Sequence, residues 1–226
     1  MFSEMFYKLL DSGVLQTGIW ETVYMTLLST AVAYVIGLPL GVLLTVTDKG
    51  GICPVPWLNA ILGFVVNIFR SIPFIIFMVA MLPVAKLVVG SSLGNGAMVV
   101  MLVLAAAPYI ARMVESSLKE VPSGVIEAAQ AMGTPNFKII TKVLLPEAKP
   151  ALIVGGVIST VTVLSYSAMA GTIGGGGLGQ IAITYGHQRF NDDIIWVCVL
   201  LIVIIVQIIQ EVGMYLARRT DRRIRS

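Results

Sequence analysis

Long stretches without a charged side chain alternate with short polar segments along this chain. Runs free of Asp, Glu, Lys and Arg extend over residues 22–47, 87–111 and 150–188. Each run exceeds the roughly 20 apolar residues that a membrane-spanning helix needs, whereas the strands of a membrane barrel are far shorter and alternate in polarity. The pattern therefore predicts an all-α membrane protein. Five spans are expected, at Thr22–Val46, Leu58–Val84, Ala97–Met113, Ala151–Ala170 and Ile194–Ala217.

The polar interruptions include one long segment, residues 121–146, which we call the coupling segment. Its proline and glycine positions predict two short helices. Pro122 suits the first turn of a helix, Gly133 suits a helix end, and Thr134-Pro135 suits the cap and first turn of the next helix. Helical spacing predicts one apolar face on each helix. The expected faces are Val125, Ala128, Ala129 and Met132 on the first helix, and Phe137, Ile140 and Leu144 on the second.

Composition agrees with a membrane protein. Of the 226 residues, 57% are hydrophobic and 12% are charged, against about 25% charged residues in soluble domains, and the mean hydropathy is +0.92. The N-terminus mixes Glu4, Lys8 and Asp11 instead of showing signal-peptide order, so we expect residues 1–226 to be retained as one membrane domain. The chain has only two cysteines, so neither a disulfide nor a metal site is predicted. The sequence shows no catalytic triad and no paired carboxylates at membrane depth, so no catalytic site is predicted.

The basic residues predict how the spans are oriented. Eleven of them flank the spans on one side, against three on the other, so the positive-inside rule places the N-terminus outside and the C-terminus and the coupling segment in the cytoplasm. The arginine-rich tail is expected to contact anionic lipid headgroups and not nucleic acid. The eleven are Lys49, Arg112, Lys119, Lys138, Lys142, Lys149, Arg218, Arg219, Arg222, Arg223 and Arg225, and the three are Lys8, Lys86 and Arg189.

Two spans carry unusual residues near their middle. In the first, Gly37 and Gly41 have the spacing of closely packed helices, although a simple kink at Pro39 is an equal alternative. In the second, Arg70 lies between Asn67 and Pro73. An arginine is costly at the bilayer centre, so it should face protein, water or headgroups. Anchoring of the helix is the preferred interpretation, and direct contact with a transported substrate is the alternative.

The end of the fourth span combines hydroxyls with a flexible apolar side chain. Small and hydroxyl-bearing residues at membrane depth indicate close helix packing or a path, and a methionine can close a narrow opening. A path or gate is therefore one hypothesis, and core packing is the other. The residues concerned are Ser165, Tyr166, Ser167 and Met169.

A glycine-rich stretch follows. The spacing from Gly174 to Gly179 fits a dinucleotide fingerprint, but no strand precedes it, and Gln180 and Ile181 stand where a phosphate-binding loop needs Lys and Ser or Thr. The chain is thus expected to bind no nucleotide cofactor itself. We expect a flexible external loop here, leading to Tyr185 and Arg189.

The coupling segment resembles a known motif. Its order is Glu-Ala-Ala, three residues, Gly, nine residues, Val, any residue, Leu, Pro, formed by Glu127, Ala128, Ala129, Gly133, Val143, Leu145 and Pro146. This is similar to the EAA loop of the permeases of ATP-binding cassette (ABC) importers, which has Ile where this chain has Val143. Stretches 67–74, 111–115, 142–148 and 165–179 extend the resemblance to the permeases of methionine-uptake importers.

The resemblance implies a type I ABC importer permease fold, with five transmembrane helices and a cytoplasmic coupling helix pair, in the bacterial inner membrane. It implies a homodimer of the permease, two copies of an ATPase subunit that bind ATP and Mg²⁺, and an external substrate-binding lipoprotein. Glu127, Ala128, Ala129, Gly133, Leu145 and Pro146 would couple the permease to the ATPase. Residues 165–169 would line or gate the path.

Other functions fit less well. An ion-coupled secondary transporter usually has internal repeats and ionisable residues at the midplane, and five spans do not divide into equal halves. A membrane enzyme would need a convergent acid, base or metal set. A permease for another amino acid remains the alternative within the family, because Phe69-Arg70-x-x-Pro73 is similar to amino-acid importer permeases more broadly.

Overall fold

The structure, a computed structural model, describes residues 4–220, with side chains from Tyr7 onward. Arg222, Arg223 and Arg225 of the basic tail lie outside the described residues. The helices are α1 (Glu4–Asp11), α2 (Val14–Val46), α3 (Pro56–Ser71), α4 (Phe74–Ala80), α5 (Leu82–Val89), α6 (Asn95–Lys119), α7 (Ser123–Ala131), α8 (Asn136–Ile139), α9 (Leu145–Glu147), α10 (Lys149–Ala170), α11 (Gly177–Ile181) and α12 (Asp192–Thr220).

Within residues 4–220, four helices are long and apolar enough to cross a membrane individually. They are Val14–Val46, Asn95–Lys119, Lys149–Ile173 and Asp192–Thr220. A fifth span exists if α3 and α4 are counted together as one broken span or re-entrant loop. The predicted all-α fold with five spans is confirmed in this sense.

The second predicted span is not the continuous helix expected at Leu58–Val84. The helix stops at Ser71 and restarts at Phe74. Pro73 has no N–H to donate and disfavours helical geometry at the preceding residue, which explains the break. The structure also begins α2 at Val14, well before the predicted start at Thr22, because Glu21 lies inside the helix and shortens the uncharged run.

The Cα positions form two compact units, each drawn from three parts of the chain. The first unit contains the chain up to Val32, Ile72–Ala106 and Thr160–Ile209. Its apolar core includes Leu9, Leu15, Leu178, Ile181, Ile194 and Cys198. The second unit contains Ala33–Ser71, Ala107–Ser159 and the chain from Gln210. Leu44, Val66 and Ala111 form a buried cluster within it.

Close helix packing explains the glycine pair of α2, in the second unit. A Cβ atom at Gly37 would come within 2.9 Å of the Ala107 carbonyl oxygen, and one at Gly41 within 2.6 Å of the Ala111 carbonyl oxygen. Both distances are shorter than a side chain tolerates, so α2 and α6 approach each other as only glycine allows. Close approach of the two helices is thus confirmed for this pair.

Candidate functional site

The coupling segment lies in the second unit and forms the predicted pair of short helices. The first helix, α7, begins at Ser123 after Pro122, whose φ of −58° and ψ of 131° are not helical. Gly133 makes the turn with φ of +72°, a left-handed conformation that strains any residue with a Cβ. Its N–H donates to the Gln130 carbonyl at 2.9 Å, and the Thr134 N–H donates to the Ala129 carbonyl at 3.1 Å.

The second helix of the pair differs from its prediction. Pro135 caps α8, and no side-chain hydrogen bond from Thr134 or another residue closes its start. A π-helical turn at Ile140–Leu144 separates α8 from α9, where Pro146 stands in the first turn. Proline cannot donate to the carbonyl four residues back, and a widened turn just before it accommodates that loss.

The apolar residues of the pair divide between two directions. Ala129, Ile139 and Leu144 are buried. Met132 and Phe137, which were placed on the predicted apolar faces, are not buried with them, because these side chains are 77% and 76% exposed. Val125 is also exposed. We call Val125, Met132 and Phe137 the apolar patch, and the described residues of the second unit leave all three side chains exposed.

The Glu-Ala-Ala triplet lies on α7, between Val125 and Met132 in the sequence. Glu127 and Ala128 are exposed, whereas Ala129 is buried. Leu145 is partly buried and Pro146 exposed. A cavity of about 280 Å³ borders α7 on its other side and is lined by Glu127, Gln130 and Ser123 of α7 and by Asp48 and Lys119, among others. The segment therefore leaves apolar side chains exposed on one side and borders a cavity of mixed polar and apolar lining on the other.

The residues singled out in the second predicted span have different surroundings. Asn67 accepts a hydrogen bond at its side-chain oxygen from Nη2 of Arg112, at 3.0 Å. Arg70 is exposed in the last turn of α3, where a positive charge is favourable at the helix C-terminus. Pro73 caps the start of α4, in the first unit. The sequence indicated no partner for Asn67, because Arg112 lies 45 positions away.

The expected path residues lie at the end of α10, in the first unit. Ser165 and Met169 are exposed and, one turn apart, share a helix face. The Tyr166 ring stacks on Phe74, with centroids 4.3 Å apart and planes 6° from parallel. Ser167 is buried, and its hydroxyl donates to the Leu164 carbonyl at 2.7 Å. Ser165 and Met169 are thus the members of this group that an incoming molecule could touch.

The glycine-rich stretch is not the flexible loop that the sequence suggested. A 3₁₀ turn at Gly171–Ile173, helix α11 and a π-helical segment at Ala182–His187 make it a folded element, which we call the glycine segment (residues 171–187). Gly177, Leu178 and Ile181 are buried in it. Glycine permits the required geometry at Gly177, where φ is +74° and a Cβ would lie 2.7 Å from the Thr22 hydroxyl.

Side chains of α2 and α6 hold this segment in place. One carboxylate oxygen of Glu21 accepts the Gly177 N–H at 2.7 Å, and the other accepts the Asn95 amide at 2.9 Å. The Thr22 hydroxyl accepts the Leu178 N–H at 2.9 Å. Bonds to an ionised carboxylate are stronger than neutral ones, so Glu21 is the main restraint. Sequence reasoning missed it, because Glu21 and Gly177 are 156 positions apart.

Comparison with known proteins places the chain in a family. Residues 37–226 match the family described as "binding-protein-dependent transport system inner membrane component". The chain belongs to this family. Its members are transport components of the inner membrane, so the chain is a transport subunit and not an enzyme. The matched range contains the coupling segment, the expected path residues and Arg70.

Curated relatives of this permease are similar over nearly their whole length. The probable D-methionine transport system permease protein of Vibrio cholerae is 50% identical over 214 residues, which cover 95% of both chains. The methionine import system permease protein of Bacillus subtilis is 44% identical over 220 residues, covering 97% of this chain and 99% of the other.

Solved structures show the same fold. A chain of the MetNI methionine ABC transporter in an inward-facing conformation has a TM-score of 0.92 and 46% sequence identity, covering 98% of this chain and all of the other. A chain of an amino acid ABC transporter crystallised with histidines has a TM-score of 0.78 at 14% identity. The second likeness concerns the fold alone.

The restraint on the glycine segment yields a prediction for this permease. In Glu21→Ala, the Gly177 N–H and the Asn95 amide lose their shared acceptor, and charge-assisted bonds contribute about 1.5–3 kcal/mol each. Backbone amides of residues 171–187 should then exchange with deuterium roughly tenfold faster, as measured by mass spectrometry in detergent.

Asp11→Ala provides the matched control, since Asp11 is an exposed carboxylate of the same unit. Glu21→Gln, which keeps one acceptor oxygen, should fall between the two. Unchanged exchange in Glu21→Ala would mean that packing alone holds the segment.

Proposed function

We propose that this chain is the permease subunit of an ATP-driven ABC importer that moves methionine, in the D or L form, or a close analogue into the cytoplasm. The observation that carries the proposal is the apolar patch, which lies open on a segment with the Glu-Ala-Ala to Leu-Pro spacing. An exposed apolar surface on a short helix pair fits docking into a partner's groove. The names of the relatives support methionine as the substrate.

The proposed assembly has several chains. Two copies of the permease form the path, two copies of an ABC ATPase subunit dock on their coupling segments, and an external lipoprotein delivers the substrate. ATP and Mg²⁺ bind to the ATPase, since Gln180 and Ile181 replace the residues that a phosphate-binding loop requires in this chain. The occurrence of a similar chain in the MetNI methionine ABC transporter supports a role within an ABC transporter. Membrane lipids surround the spans, and no nucleic acid is involved.

The whole chain acts as one permease domain, residues 1–226. The coupling segment is the part of this domain that contacts the ATPase and moves with it. Closure of the ATPase dimer on ATP displaces α7 and α8, and this displacement reorients the permease. Val125, Met132 and Phe137 provide contact area, whereas exposed Glu127 meets a polar or basic group of the partner. Ala128 allows close approach, Gly133 sets the angle between the helices, and Leu145 and Pro146 join the pair to the next span.

The orientation follows from charge. The N-terminus lies outside the cell and the C-terminus in the cytoplasm, so that the coupling segment faces the ATPase. Arg218 and Arg219, in the last turn of α12, then lie at the cytoplasmic headgroups, and Arg219 packs over the Tyr215 ring at 5.0 Å. The glycine segment and the end of α10 lie toward the outside.

Ser165 and Met169 line or gate the path in this proposal, and the stacked Phe74 fixes the Tyr166 ring beside them. Ser167 supports this face from within α10 through its bond to Leu164. Asn67 and Arg70, on α3, and Pro73, at the start of α4, shape the break between these two helices, where Arg70 either anchors α3 or meets the substrate.

Reconstituted uptake tests the proposal. The permease is placed in liposomes with its ATPase and binding protein, and entry of labelled methionine is measured against each competing amino acid. We expect uptake that requires ATP and both partners and that unlabelled methionine suppresses most strongly. A different best competitor would indicate a permease for another amino acid. Uptake driven by an ion gradient without the ATPase would indicate a secondary transporter and contradict the proposal.

Charge reversal at the docking surface gives a second prediction. Glu127→Arg should weaken association with the ATPase by about tenfold or more, because unlike charges across an interface become like charges. Binding is measured by titrating detergent-solubilised permease with the labelled ATPase.

Glu120→Arg is the control, since Glu120 is an exposed carboxylate just before the coupling segment. Equal ATPase binding and equal uptake in both variants would remove Glu127 from the proposed surface.

A further inference from the structure

A row of charged side chains lies along one face of α6 in the second unit. Arg112, Glu115 and Lys119 are three and four positions apart, which places them on consecutive turns. Nη1 of Arg112 donates to Oε2 of Glu115 at 2.6 Å, and Nζ of Lys119 donates to Oε1 of the same carboxylate at 2.9 Å. Glu115 is therefore held by two cations, one on each oxygen.

The two ends of this row reach different elements. At one end, Nη2 of Arg112 donates to the Gly63 carbonyl and to the Asn67 side-chain oxygen, both at 3.0 Å and both on α3. At the other end, Nζ of Lys119 lies 2.8 Å from Oδ2 of Asp48, in the turn after α2. We call Arg112, Glu115, Lys119 and Asp48 the charge ladder.

The ladder is strong at its centre and weak at its outer end. The Glu115 and Arg112 side chains are only 11% and 24% exposed, whereas those of Lys119 and Asp48 are 47% and 39% exposed. A buried carboxylate between two cations is costly to leave unpaired, so removal of its charge disrupts the geometry of its partners. The exposed pair at the end contributes little by comparison.

The guanidinium is the part of the ladder that fixes distances. Its two terminal nitrogens bind three acceptors in the fixed planar geometry of a fork. A lysine ammonium has no such planar arrangement of donors. A Cβ at Gly63 would lie 3.2 Å from Nη2, so α3 leaves space for it. Arg112 thus ties α3 to α6 through directional bonds, and Glu115 holds Arg112 in the orientation that makes them.

The exposed end of the ladder faces the coupling segment. Asp48 and Lys119 line the 280 Å³ cavity whose other wall includes Ser123, Glu127 and Gln130 of α7. The Lys119 ammonium lowers the pKa of the Asp48 carboxyl, first through the hydrogen bond between them, so the pair is ionised at neutral pH. A shift of α7 changes the space around these two charges.

We propose that Glu115 is a positioning residue that makes α3 follow α6 when the coupling segment moves. The inference rests on the proposed function and assigns a role to the stretch 111–115. Backbone bonds keep α6 rigid, so a displacement at its Lys119 end reaches Arg112 intact. Arg112, held by Glu115, then transmits the displacement to Gly63, at the middle of α3, and to Asn67, one turn before α3 ends at Ser71.

The proposal is tested by placing Glu115→Gln in the reconstituted transporter, which contains the permease, the ATPase and the binding protein. ATPase binding, ATP hydrolysis and methionine uptake are measured. This variant keeps the size of the side chain but sets an amide in place of a carboxylate between two cations. We expect ATPase binding and ATP hydrolysis to stay within about twofold of the unmodified complex, while methionine uptake falls about tenfold. The number of ATP molecules hydrolysed per methionine imported should therefore rise.

Asp48→Asn is the matched control, because it neutralises a carboxylate at the exposed end of the same ladder and should leave this ratio within about twofold of the original. Arg112→Lys keeps the charge and removes the fork, and it should raise the ratio as Glu115→Gln does. Arg112→Lys also tests the proposal if Glu115→Gln is not recovered from membranes.

Three results would overturn the proposal. They are an unchanged ratio in both Glu115→Gln and Arg112→Lys, a loss of ATPase docking in Glu115→Gln, and a parallel fall of hydrolysis and uptake that leaves the ratio constant. An unmodified complex that imports no methionine under ATP would refute the proposed function, and this inference with it.

Discussion

Backbone amides in the hydrocarbon core of a membrane find no water to bind, so each must be paired within the protein. This constraint makes the spans of this permease helical and makes every break in a helix conspicuous. The break at Ile72–Pro73 and the folded glycine segment at 171–187 are such places. In the second case the amides of Gly177 and Leu178 are paired by side chains, the Glu21 carboxylate and the Thr22 hydroxyl.

The same constraint limits where charge can act. A carboxylate inside such a protein needs strong partners, and Glu21 and Glu115 both have them, in different units. Glu21 binds the Gly177 N–H and the Asn95 amide, both distant from it in the chain. Glu115 binds Arg112 and Lys119, which lie on its own helix. In this account Glu21 fixes a segment, whereas Glu115 connects helices that must move together. In this account, Glu21 and Glu115 therefore connect elements of the permease, and the apolar patch is the surface through which the ATPase moves them.

Hydropathy predicted most of the fold, because long uncharged runs leave few alternatives to a membrane helix. It failed where a charge sits inside a helix, as with Glu21 in α2, and where proline interrupts a run, as at Pro73. The coupling pair was predictable from Gly133 and its neighbouring prolines. The direction of Met132 and Phe137 was not, because helical spacing alone cannot distinguish a face covered by the same chain from a face left for a partner. The fixed glycine segment depends on contacts from residues more than 150 positions away, which no local pattern contains.

Site-specific photo-crosslinking tests the central claim most directly. A photoreactive side chain at Phe137, in the apolar patch, is compared with one at Leu87, an apolar position on α5 that is at least as exposed. In membranes that contain the whole transporter, the account predicts an adduct with the ATPase subunit from position 137 and none from position 87. The absence of an ATPase adduct at 137, or equal adducts at both positions, would contradict it.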